Sequence, residues 1–419
     1  MKSCFSYIAL LLTATSAAAE NVCESCHCEP EYEPQTVSCA CETPDKVLDF
    51  TSRDFEVNFK NTLNFTVSNC GKIVFKQNLF RELQKLDNLK IQNVKDVRFE
   101  IGVFQSLNHL RLRNIKELSF KSNAFHGGQM KSVEIRQSNI GDLPRYAFHD
   151  VNSLDKFVLS DVHIHSVQPG AIMLKDNKAV EIVNATMDEI ASNAITIEAN
   201  YVVIFNSALR NMKPVSINVT AKDQFIISHT EFDENMPDNP ITAMAPVVNI
   251  SNNHFQHLKP QIIKNLTGNL DGNIIFIHNT IDTFDSHKPL NLPSSNWNIQ
   301  GNQFKCSCEM FGLFENLKNS NILDNNYCML SKCRVSLRQG KEKCERQSPA
   351  NLDDTDLCKT VPTVAPLRPR DGRVLGLTTQ EKTQFTTHMP LSLTTPKSSA
   401  SIHLLSAILF WTLIALKLL

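Results

Sequence analysis

The sequence predicts an α/β-type solenoid: short coils stacked on one another, with a parallel sheet along one face and few regular helices. Two observations lead there. A four-position apolar pattern recurs about every 23 residues through the middle of the chain. Twelve of the 13 cysteines fall into two blocks that flank this cysteine-free middle. Composition narrows the field further. Lys+Arg 42 against Asp+Glu 43 gives a net charge of −1, which argues against a general nucleic-acid binder. With 42% hydrophobic and 20% charged residues, the bulk of the 419-residue chain is expected to fold.

The first element, residues 1–19, reads as a secretory signal peptide. Lys2 supplies the charge, Tyr7 to Leu12 the apolar stretch and Ala17-Ala18-Ala19 the cleavage site. Residues 20–62 follow as an N-terminal cysteine-rich cap. Its block is Cys23, Cys26, Cys28, Cys39, Cys41 and Cys70; the second block is Cys306, Cys308, Cys328, Cys333, Cys344 and Cys358. An even count in a secreted chain implies disulfides, with connectivity open. The CESCHC spacing is compatible with zinc, but secretion favours disulfides, and no metal or cofactor is expected. Cross-linked blocks at both ends suit a solenoid, whose terminal coils expose apolar surface and need capping.

Residues 63–304 form the repeat. Each copy has apolar residues at i and i+2, a small or amide residue at i+5 and an apolar one at i+7. The clearest copies start at Val133, Phe157, Val180, Val202, Phe225, Val248, Ile274 and Trp297; weaker ones start at Phe65, Leu89 and Leu110. That makes about eleven coils. Residues i and i+2 point to one side of a short strand. The i+5 side chain turns inward, where an amide satisfies backbone groups of neighbouring coils. A further apolar residue precedes each strand at i−3 (Leu86, Leu107, Met130, Leu154), and Phe104, Phe125 and Phe148 add midway aromatics. No copy buries its apolar side alone, so the stack folds as one body.

The stretches LKIQNV from Leu89, LRLRNI from Leu110 and LPRYAFHDVNSLDKFVLSDVHI from Leu143 resemble extracellular leucine-rich repeat proteins. CESCHCEPEYEPQTVSCAC and NQFKCSCEMFGLFENLKN look like that family's terminal cysteine caps. The resemblance implies a horseshoe with the parallel sheet on its concave face, and a protein-binding role. Cys70 occupies the family's inward Asn/Cys place, which leaves it as a buried thiol or as the partner of Cys41. The inward residue is Asn only in the last three copies, and Ile, Val or Phe often replaces Leu. Copies such as VVNISNNHF and NIIFIHNTI also read as a right-handed β-helix of the polysaccharide-lyase type, the alternative fold.

Residues 305–358 are the expected C-terminal cysteine-rich cap. Residues 359–400, rich in Ser, Thr and Pro, read as an extended stalk. Residues 401–419 form a hydrophobic tail. It reads as a glycosylphosphatidylinositol-anchor signal with attachment near Ser398, or as a single membrane span. Either places the folded part on the extracellular side of the cell membrane, with no cytoplasmic signalling domain. Sequons at Asn64, Asn184, Asn218, Asn249 and Asn265 are candidate glycosylation sites. Asn184 and Asn249 are expected to obstruct part of the strand face.

The chain contains no nucleophile elbow, phosphate-cradling Gly loop or zinc-protease motif, so no catalytic residue is assigned and no enzyme is expected. His163 and His165 share one alternating stretch and read as a solvent-facing pair. The strand face offers the binding candidates. Its outward positions carry the cations Lys90, Arg111, Arg113 and Arg136 beside Glu134, then the apolar residues Val158, Val183, Val203, Phe205, Ile226, Ile275 and Ile277, expected to be exposed. In the C-terminal cap, KCRVSLRQGKEKCERQ carries six cations and two acids, a candidate contact for sulfated glycans or anionic lipid heads. The expected function is recognition, adhesion or co-receptor signalling by binding an extracellular or cell-surface protein. The alternatives are an innate-immune pattern-recognition receptor and a carbohydrate-active β-helix enzyme.

Overall fold

In the computed structural model the described residues are 22–346, apart from 51–58, 77–82, 84, 101–106, 126–129, 260–261, 263–271, 286–296, 306, 315–319 and 331–332. They form a parallel β-solenoid with few helices. The start of every repeat copy pairs with the start of the next. Phe65, Leu89, Leu110, Val133, Phe157, Val180, Val202, Phe225, Val248, Ile274 and Trp297 make one continuous register along a first face. We call it face A. It reaches into the N-terminal cysteine region, where Val37 of Thr36–Ala40 pairs with Phe65.

Face A turns a corner at i+4. There Asn69, Asn93, Asn114, Gln137, Asp161, Asn184, Asn206, His229, Asn252, His278 and Gly301 all have positive φ, between 48° and 69°. Short polar side chains tolerate this left-handed conformation, and glycine adopts it freely. The chain then extends again as face B, another parallel ladder. Strands such as Asn88–Phe99, His109–Phe120 and Lys156–Val167 span both faces. In the middle coils a third parallel ladder, face C, joins Phe148–Asn152 to 172–175, 195–199, 217–220 and Ile241–Met244.

Strands on successive sides of each coil correct the horseshoe expectation: the coil is closer to the alternative, the β-helix. The reason lies in side-chain pattern. The segments Ile172/Leu174, Ile195/Ile197 and Ile217/Val219 alternate buried apolar residues with outward ones, which selects a strand rather than a helix. Near the ends lie the helices Val22–Ser25, Ser320–Asn325 and Leu337–Arg346, with a 3₁₀ segment at Cys308–Phe314.

The interior has two chemistries. Upstream, Phe50, Phe75, Phe99 and Phe120 stack along the axis with centroids 5.6, 4.9 and 5.5 Å apart. Phe125 and Phe148 continue it at 4.7 Å, whereas Phe104 lies outside the described residues. Downstream, the i+5 residues Asn253, Asn279 and Asn302, joined by Asn326, form a buried ladder. Each Oδ1 of Asn279, Asn302 and Asn326 accepts the backbone N–H and the Nδ2 of the preceding Asn at 2.8–3.0 Å. Each Nδ2 also donates to a carbonyl of the preceding coil, as from Asn279 to Ile250. This is the inward amide role anticipated for the repeat.

Cystines close the N-terminal end: Cys23–Cys28, Cys26–Cys39 and Cys41–Cys70. Cys70 is therefore not a free thiol. At the other end Cys308 pairs with Cys344, and Cys328 and Cys333 are also disulfide-bonded. Cys306 and Cys358 lie outside the described residues, as do the leader, the stalk, the hydrophobic tail with Ser398, and Asn265. Among the described residues no helix is long and apolar enough to cross a membrane.

Candidate functional site

The outer side of face A carries the predicted binding residues, because i+1 and i+3 alternate with the buried i and i+2. Lys90 pairs in register with Arg111 and Arg113 with Arg136, so the cations occupy consecutive rungs. Lys90, Arg111 and Arg113 are exposed, and Arg136 is half-buried. Glu134 sits among them. Arg136 Nη2 approaches it at 3.1 Å and Arg111 Nε at 4.0 Å, while Arg113 Nε donates to Gln137 Oε1 at 3.1 Å.

Farther along the face, Val203 pairs with Ile226 and Phe205 with Ser228. Val183, Val203, Phe205, Ile226, Ile275 and Ile277 are half-buried, and Val158 is buried at 1% exposure. Full exposure was expected for these positions. Rungs spaced about 4.8 Å apart let each side chain cover its neighbour, which one strand's pattern does not reveal. Tyr201, one position before the repeat start, is 48% exposed and borders this apolar stretch.

Face B was not anticipated as a ladder in the upstream coils. Their second-strand residues Ile73, Val97 and Leu118 lie at i+8, one place later than the i+7 seen in Ile140 and Ile164. The i+7 positions there are instead Lys72, Asp96 and Glu117, pointing outward. They line an open trough of about 1120 Å³ together with Asp49, Arg98 and Lys121. Carboxylates and bases thus cluster on the outer side of face B as well as around Glu134 on face A. Asp96 is 3.0 Å from Arg98 and 3.7 Å from Lys72, and Asp49 is 3.3 Å from Lys76. The hydrogen bond and charge of Asp96 hold the Arg98 guanidinium above its ordinary range.

His163 and His165 share face B, as expected. His163 Nε2 lies 2.6 Å from Asp188 Oδ2 and His165 Nδ1 3.8 Å from it. Among the described residues no group of three His, Cys, Asp or Glu side chains could hold a metal ion.

The sequons take different positions. Asn64 lies on face A and accepts from Asn88 Nδ2 at 3.0 Å; Asn218 is exposed on face C. Asn184 is a corner residue whose Nδ2 donates to Asp161 at 2.9 Å. Asn249 is half-buried on face A, with its Oδ1 enclosed and without a hydrogen-bond partner among the described residues. No known protein family matches the chain, and no curated protein sequence matches it.

Proposed function

We propose that this protein is a cell-surface recognition molecule that presents face A of its solenoid to an extracellular protein. The supporting observation is the stretch Tyr201, Val203, Phe205 and Ile226, where partly exposed aromatic and aliphatic side chains meet on adjacent rungs. Protein interfaces draw most of their affinity from such anchors within a polar surround. Disulfides at both ends are consistent with an extracellular setting. The hydrophobic tail then acts as the membrane attachment.

A cell-surface screen with the purified chain tests this. One protein partner is expected, and Phe205→Asp with Ile226→Asp is expected to weaken its binding at least about tenfold. Unchanged affinity removes face A from the interface. Phosphatidylinositol-specific phospholipase is expected to release the protein from cells; retention points to a membrane span. A second reading, a carbohydrate-active coil, draws on the charged trough of face B. Glycan degradation by the purified chain is the result that favours it.

A further inference from the structure

We propose that the upstream part of face A, between rungs 88–92 and 132–136, binds a linear sulfated glycan. Its cations run in two rows parallel to the coil axis, Lys90 beside Arg111 and Arg113 beside Arg136. Parallel strands set the rise within each row at about 4.8 Å. A chain of sulfates laid along the axis meets successive cations without bending.

Neutralisation within the rows is partial, since Glu134 follows Arg111 in the first row and contacts two of the four cations. Glu134 is their only carboxylate, and Arg136 holds it more closely than Arg111 does. Among the described residues, Lys90 and Arg113 have no carboxylate within salt-bridge distance, and neither does Lys116 just past the corner. The corner itself adds neutral donors. Asn114 Nδ2 donates to Asn93 Oδ1 at 2.8 Å, and Asn93 Nδ2 to Asn69 Oδ1 at 3.2 Å. Each exposed amide uses one Nδ2 hydrogen in this ladder and keeps the other for a ligand hydroxyl or sulfate oxygen.

The choice of a glycan over an acidic protein rests on what these rungs lack. Among the described residues the exposed large hydrophobic ones are Tyr32, Val47, Leu63, Tyr201 and Met244, none of them on rungs 88–92 to 132–136. A protein interface needs an apolar or aromatic anchor; a polyanion needs only cations and polar donors. The C-terminal cap is the weaker site because four of its cations are engaged. Arg338 grips Asp324 through Nε at 2.5 Å and Nη2 at 3.0 Å, and Arg334 lies 4.0 Å over the Tyr327 ring. Lys341 and Arg346 each lie 3.9 Å from a glutamate one turn away.

Calorimetric titration of the purified full-length chain tests the proposal with three probes: a heparin hexasaccharide, its desulfated counterpart and polyglutamate of matching charge. Binding of the sulfated probe alone is expected, weakening as salt rises. The Lys90→Glu/Arg111→Glu/Arg113→Glu variant is expected to lose about tenfold or more in affinity. The Lys341→Glu/Arg346→Glu cap variant should bind like the unaltered chain. The milder Lys90→Gln/Arg111→Gln/Arg113→Gln variant, with an unchanged thermal midpoint, separates lost contacts from lost folding and should also bind weakly. Three results overturn the assignment: no binding of heparin, equal loss in the cap variant, or polyglutamate binding as tightly as heparin.

Discussion

The coils before Phe157 and those after Phe225 meet the same stacking requirement with different chemistry. Upstream, the inward i+5 residues Cys70, Val94 and Ile115 are buried and apolar, and the axis is filled by stacked phenylalanines. Downstream, Thr230, Asn253, Asn279 and Asn302 bring polar atoms inside, each backbone N–H meeting the side-chain oxygen of the next coil. Buried polar groups are tolerated there because the ladder satisfies them. The transition is gradual: Ser138 and Ser207 already accept the N–H of Ile115 and Ala185 at 3.2 Å. One half depends on filled volume and the other on completed hydrogen bonds.

Matched substitutions sharpen this contrast most strongly. Phe99→Ala is expected to cost about 3–5 kcal/mol through cavity formation, and Asn279→Ala about 3 kcal/mol through orphaned partners. The decisive pair is milder in shape. Phe99→Leu should cost less than about 1.5 kcal/mol, whereas Asn279→Leu should still cost about 3 kcal/mol despite the same side-chain branching. Urea unfolding measures both, and a neutral Asn279→Leu would falsify the distinction between the halves.

Next in size is the N-terminal staple. Replacing Cys41 and Cys70, 29 residues apart, by Ser should cost about 3–4 kcal/mol in chain entropy. Because each coil contacts mainly its neighbours, hydrogen exchange should accelerate in the upstream coils and leave the Asn ladder protected. Acceleration spread evenly along the solenoid would contradict that locality.

Val215 offers a smaller effect of opposite sign. Its φ of 54° places a β-branched residue in the left-handed region that Asn193 and Gly170 occupy on the preceding coils. Val215→Asn is expected to stabilise the middle coils by about 1 kcal/mol, read as a raised thermal midpoint.

The smallest effect lies in the C-terminal cap. The Arg338 hydrogen bond and charge hold the exposed Asp324 carboxyl below its ordinary range. A carboxyl depressed by folding adds stability that is complete above its unfolded pKa and disappears as pH falls through the folded one. Asp324→Asn should therefore lower the thermal midpoint slightly at neutral pH and leave it unchanged in strong acid. A difference that persists in acid would assign the effect to something other than this ion pair.

Much of face A was legible because its apolar residues recur at fixed intervals. The register from Phe65 to Trp297 follows the repeat starts read directly from the chain. Face B was hidden upstream by a one-residue shift, which moved Lys72, Asp96 and Glu117 onto the positions where apolar residues were sought. The corner signal was present at i+4, in the run of Asn, Asp, Gln, His and Gly, but it gains meaning only from the positive φ at each place. Val158 illustrates the remaining limit, since its burial depends on side chains one rung away rather than on its own strand.

The sequence by itself determined the period, the direction of stacking and the inward amides, since each follows from residues at constant separation within one coil. Tertiary structure decided how many sides of the coil are strands, which cations remain unneutralised and which apolar residues stay partly open. Those outcomes depend on contacts between residues some 23 positions apart, where packing, charge pairing and hydrogen bonding act across rungs.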